Sequence, residues 1–232
     1  MVASIVFGMI LALTAGVSAA KIAEEPYFSW SKDKAVEILN ASPWAKQETF
    51  TQIVGGQGSG RSGEKEIYNT FYIRFLSARP IREAYARIQQ IHYGYDNMDQ
   101  EQRARFERDQ QPNIEMGAPE WIVISVAFRS NDPNEESDVR RFFQSETVRT
   151  LKTKAFLSTP TCSQVEVSAY FPPREESVGA KFVFPRIVNG IPVVTEDCEA
   201  VTFELLDVPG ANPNLQATFS VDSMIIDGKI VI

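Results

Sequence analysis

The 232-residue chain is long enough for one large domain or two small ones, and its 44% hydrophobic content is that of a protein with a packed core, which excludes global disorder. Thirty acidic against 23 basic side chains give a formal charge of −7, a field that repels nucleic acid and anionic lipid headgroups. The arginines between Arg74 and Arg108 are interleaved with Glu83, Asp96, Asp99, Glu101 and Glu107, which nearly cancel them, so no basic face for a polyanion emerges.

The first twenty residues, MVASIVFGMILALTAGVSAA, carry no charged side chain. Their apolar centre from Ile5 to Leu13 and the small residues of VSAA predict a secretory signal peptide over residues 1–20, cleaved after Ala19 or Ala20. The missing Lys or Arg before the apolar stretch departs from that pattern, and an uncleaved anchor is the competing reading, because about twenty uncharged residues can just span a bilayer. No later segment is apolar over such a length, so no membrane span is expected after signal cleavage, and the mature protein is expected to be periplasmic or extracellular. An oxidising compartment would make Cys162 and Cys198 an even pair for a disulfide, which would stabilise the fold by roughly 3–4 kcal/mol through chain entropy. Two independent buried thiols are the alternative.

From Trp30, WSKDKAVEILNASPWAK predicts a short helix capped by Ser31, with Ala35, Val36, Ile38 and Leu39 on one pattern. It stops at Ser42-Pro43, since proline disfavours helix at the residue before it. Next come two strand-like runs, ETFTQIV and IYNTFYIRFL, which flank IVGGQGSGRSGEK. That glycine-rich stretch spells both G-x-x-x-x-G-R-S and G-x-G-x-x-G. Both phosphate motifs require a helix N-terminus after the loop, whose free N–H groups hold the anion. Here a strand follows and Arg61 replaces the P-loop lysine, so a loop between two strands is expected, with no nucleotide cofactor. SARPIREAYARIQQIHYG predicts an amphipathic helix, with Pro80 in its first turn, Glu83 placed to pair with Arg87, and Gly94 as a stop signal. NMDQEQRARFERDQQ predicts a polar helix capped near Asn97, EWIVISVAF a central strand, and DPNEESDVRRFF a helix capped by Asp132 with Val139, Phe142 and Phe143 buried.

From about Val148 the period changes to two. VRTLKTKAFL, QVEVSAYF, AKFVFPRIV, IPVVT, AVTFELLD, LQATFSV and SMIIDGKIVI read as short strands, with Asn189-Gly190 and Asp227-Gly228 as hairpin turns. The fold class is therefore α+β: a mixed helix and strand region over 21–147, then an antiparallel, sandwich-like β region over 148–232. The boundary near residue 147 marks either a domain seam or a change of layer.

The search for chemistry is mostly negative. His92 is the single histidine, and no H-E-x-x-H, C-x-x-C or G-x-S-x-G occurs, so neither a metal site nor catalytic residues are predicted. Asp132, Asn134, Glu136 and Asp138 alternate like the start of a calcium loop but lack its glycine and distal glutamate, and helix capping accounts for them. Glu196, Asp197 and Glu199 read as a solvated turn.

DKAVEILNASPWAK, Asp33 to Lys46, and YIRFLSARPIREAYARI, Tyr72 to Ile88, resemble an uncharacterised family of exported bacterial proteins with an S-P-W-A-K helix end and an I-R-x-x-S-A-x-P-I-R-x-A strand-to-helix turn. The resemblance covers about the first third of the mature chain and implies export without implying a reaction. The leading expectation is a non-catalytic binding or envelope-associated module whose partner is a protein or a cell-envelope component, with Trp44, Tyr72 and Arg79 on its contact surface. The alternative is a hydrolase whose site assembles only in the fold.

Overall fold

The computed structural model describes residues 18, 19, 22, 24–55, 64–115, 120–174 and 179–232. Nearly all of the predicted signal segment and the centre of the glycine-rich stretch lie outside them.

The fold is α+β. Helix α1 spans Lys32–Asn40, and its cap is the predicted one: the Ser31 hydroxyl accepts from the Lys34 N–H at 3.1 Å. Strands β1, Ala45–Gly55, and β2, Glu64–Phe75, pair antiparallel in unbroken register from Ala45 opposite Arg74 to Gly55 opposite Glu64. A strand therefore leaves the glycine-rich stretch, as its sequence implies. Helix α2, Arg79–His92, has Pro80 in its first turn and is followed, just past its C-cap Tyr93, by Gly94, whose φ of 70° suits glycine. The predicted Glu83–Arg87 pair does not form. Glu83 instead meets Arg79 at 2.7 Å, while Arg87 turns to Asp96 beyond the helix end. Helix α3, Gln100–Ile114, is capped two residues later than predicted, by Asp99 in a reciprocal capping box with Gln102.

Strand β3, Trp121–Ser130, is buried from Ile122 to Val126, and helix α4, Pro133–Ser145, follows with Asp132 as its cap. The first of the predicted C-terminal strands begins instead as a helical turn, α5, Val148–Leu151. Thr147 and Thr150 cap each other's backbone there, a local hydrogen-bonding choice that overrides the alternating pattern. The remaining strands are β4 (Ala155–Ser158), β5 (Val165–Glu166), β6 (Ala169–Phe171), β7 (Ala180–Pro185), β8 (Ile187–Val188), β9 (Ile191–Pro192), β10 (Ala200–Leu205), β11 (Leu215–Ser220), β12 (Ile225–Ile226) and β13 (Lys229–Ile230). Asn189-Gly190 joins β8 to β9 and Asp227-Gly228 joins β12 to β13, all four turn residues at positive φ, as two-residue hairpins demand.

Two sheets form the body, one of order β1-β2-β3-β7-β6 and one of order β11-β10-β4-β5. Strands β6 and β7 come from the C-terminal region yet complete the first sheet, which therefore crosses the boundary near residue 147. On one face of the first sheet, Phe71, Ile73 and Phe75 of β2 lie opposite Phe128, Val126 and Ile124 of β3. That face meets the second sheet through edge-on aromatic contacts: Phe75 with Phe219 at 4.8 Å and Phe184 with Phe203 at 6.2 Å. The opposite face presents Tyr72 and Arg74, and helices α1 and α2 cover it.

Candidate functional site

Strand β3 outruns β7. Its pairing with β7 ends at Val126, whereas its pairing with β2 continues to Ser130. A cavity of about 550 Å³ lies against this last stretch of β3, between α1 and α2 on one side and α4 on the other. Such a volume suits a small organic ligand. The approach of Gly179 narrows it: a Cβ there would stand 2.3 Å from the Val126 carbonyl oxygen, so only glycine fits.

The walls combine two kinds of surface. Apolar side chains come from the helices: Val36 and Leu39 of α1, Ile88 of α2, and Val139 and Phe143 of α4. Charge among the described residues comes from Lys32, Arg74, Arg129, Arg140 and Arg174, with the carboxylate of Glu136. Among the described lining residues cations outnumber anions, the reverse of the whole chain, which carries −7. Glu136 lies 3.9 Å from Arg129 and accepts from the Ser130 N–H, so it offsets only part of that charge. A concave low-dielectric wall concentrates such a field.

Arg74 is the innermost of these cations, 7% exposed. Its Nε donates to the Leu39 carbonyl at the end of α1, one terminal nitrogen donates to Asn40 Oδ1 at 2.8 Å, and the other donates to the Tyr85 hydroxyl at 3.0 Å. The guanidinium also sits 5.1 Å from the ring centre of Tyr72 and 5.8 Å from that of Tyr85, within cation–π range of both. Burial raises the pKa of Tyr85, opposed by the charge and hydrogen bond of Arg74, so Tyr85 is neutral at ordinary pH. The stretches Asp33–Lys46 and Tyr72–Ile88 meet here, through Asn40 in one and Tyr72, Arg74 and Tyr85 in the other.

No family model, no curated protein and no solved structure matches the chain. Function must therefore be read from the site itself.

Of the three residues expected at a contact surface, Tyr72 lines the cavity. Trp44 does not: it is fully buried, its indole N–H donates to the Val231 carbonyl, and its own carbonyl accepts from the Phe75 N–H at 2.9 Å. Pro43 ends the helical segment and turns the ring into the core, where its large apolar area is better placed than on the surface. Arg79 is exposed but outside the cavity, held to Glu83 at the start of α2. Arg74, Asn40 and Tyr85 are not among the residues that the sequence singles out. The available signal was an arginine set between isoleucine and phenylalanine in a strand, next to Tyr72.

Cys162 and Cys198 are free thiols in the structure. The Cys162 sulfur points to the Pro192 carbonyl at 4.0 Å, while Cys198 is buried with Thr195 Oγ1 at 3.4 Å and Thr161 Oγ1 at 3.8 Å. Burial works to raise the Cys198 pKa, but hydrogen bonds from Thr195, Thr161 and Thr159 outweigh it and leave the thiol below its usual value. Neither cysteine lines the cavity.

Among the described residues no group of His, Cys, Asp and Glu is placed to hold a metal ion. Asp132 caps α4 and pairs with Lys65 at 2.6 Å, and that hydrogen bond, with the one from the Asn134 N–H, holds its carboxyl below the usual range. No helix among the described residues is long and apolar enough to cross a membrane.

Proposed function

We propose that this chain is an exported, non-catalytic binding module, periplasmic or extracellular, whose ligand site is the cavity between α1, α2 and α4. The observation that carries the reading is the composition of the walls, apolar below and cationic around Arg74, in a chain of opposite net charge. Arginine, lysine and neutral tyrosine hold and orient a ligand, whereas hydrolysis would ask for a nucleophile beside a base. Export rests on the uncharged N-terminal segment and on the resemblance of Asp33–Lys46 and Tyr72–Ile88 to exported bacterial proteins. A free small molecule or the end group of an envelope component would fit the same walls.

A thermal-shift screen of the purified protein against anionic, neutral and cationic small molecules, followed by native mass spectrometry of the hits, tests this. The reading expects one-to-one complexes that return unaltered ligand. Hits released as hydrolysed products would overturn it in favour of a hydrolase.

A further inference from the structure

Among the described residues two arginines, Arg74 and Arg87, are buried, and their charges are met differently. Arg87 is neutralised in the ordinary way: both its terminal nitrogens reach the Asp96 carboxylate at 3.1 Å, and its Nε donates to the Trp30 carbonyl. Arg74 is equally buried but, among the described residues, bonds no carboxylate; its partners are a carbonyl, an amide oxygen and a phenol. A guanidinium carries five N–H groups, and these three bonds leave two of them unassigned. Directly across the ladder, Ser125 is fully buried and its hydroxyl has no hydrogen-bond partner among the described residues. A buried charge without a counter-ion is costly, and a buried hydroxyl without a partner adds to that cost. Of the two buried arginines, only the one without a carboxylate borders the cavity.

We infer that the cavity takes a small organic anion, its oxyanion head paired with Arg74 and its apolar body lying against Leu39, Ile88, Val139 and Phe143. This deepens the binding reading above and rests on it. The anion supplies what Asp96 supplies to Arg87. A planar guanidinium matches a carboxylate or a phosphate, in each case through two parallel hydrogen bonds. The exposed Arg129 and Arg140 at the rim steer the anion in, and Tyr72 and Tyr85 fix the plane of the guanidinium that receives it.

The test is isothermal titration calorimetry of the full-length chain with matched pairs that differ only in charge: naphthoate against naphthamide, octanoate against octanamide, with naphthyl phosphate as a further arm. The acids are expected to bind about 10- to 100-fold tighter than their amides, the range for hydrogen bonds to a charged group. Naphthyl phosphate against naphthoate then tells which oxyanion head is preferred. Arg74→Met should abolish the preference for the acid and leave the amide affinity in place. Should that variant not fold, the wild-type pairs decide alone. Amides binding as tightly as their acids would overturn the anion inference while leaving the binding module standing. Failure of every probe to bind would instead remove the cavity reading itself.

Discussion

If the two sheets share one core, the sharpest mechanical consequence lies at Phe75 and Phe219. Phe75 is on β2 and Phe219 on β11, 144 positions apart, both fully buried and edge-on at 4.8 Å. Replacing either by leucine keeps an apolar side chain but removes the ring contact, at a cost of about 0.5–3 kcal/mol each. Such an aromatic pair contributes about 0.5–1.5 kcal/mol beyond area burial, so the double substitution should cost less than the sum of the singles by that amount. Urea unfolding followed by tryptophan fluorescence is the assay, because the three tryptophans, Trp30, Trp44 and Trp121, all precede the boundary near residue 147. In a single body Phe219→Leu lowers the tryptophan-reported midpoint as much as Phe75→Leu does. If Phe219→Leu leaves that midpoint in place while shifting a separate far-ultraviolet circular dichroism transition, the two regions fold apart and the shared core is refuted.

Trp44→Ala should destabilise the protein by about 3–5 kcal/mol, the cost of an aromatic truncated in a core, and a denaturant midpoint unchanged from wild type would show the ring to be dispensable there. Tyr95 is held at a pKa of about 12, by burial and then by its hydrogen bond to Glu107, against an ordinary value of 10.0. Because the folded value is the higher, its contribution to stability is complete below about pH 10 and is lost as the pH rises towards 12. Tyr95→Phe should therefore flatten the fall in stability across that window, and identical pH profiles for the two proteins would contradict the assignment. Thiol titration of the unfolded, unreduced protein should find two reactive groups if Cys162 and Cys198 are free as the structure has them, and none if export has joined them. In the folded state the half-buried Cys162 should react well before the buried Cys198.

Local chemistry was legible in the sequence wherever neighbouring residues decide the outcome. Ser31 and Asp132 cap their helices, Pro80 opens α2, and Asn189-Gly190 and Asp227-Gly228 make the turns their dipeptides imply. The failures also have local physics behind them: Thr150 returns a cap to Thr147 and starts a helix where alternation pointed to a strand. What alternation could not supply is the choice of sheet. Val165 and Ala169 belong to one apolar run, yet β5 joins the second sheet and β6 the first. The candidate site was half legible. Strand period places Tyr72 and Arg74 on one face, but nothing in the order of residues says that the end of α1, 34 positions earlier, supplies Asn40 to the same guanidinium. For the same reason Trp44 is expected at a contact surface: a large aromatic just past a helix stop looks alike whether it turns outwards or inwards.

A crystal structure of the protein soaked with naphthoate tests most directly whether Arg74 anchors an anion. The carboxylate should lie within hydrogen-bond distance of the Arg74 guanidinium, with the rings against Leu39, Ile88, Val139 and Phe143. Naphthoate bound away from Arg74, or held in the cavity with its carboxylate turned to solvent, would contradict it.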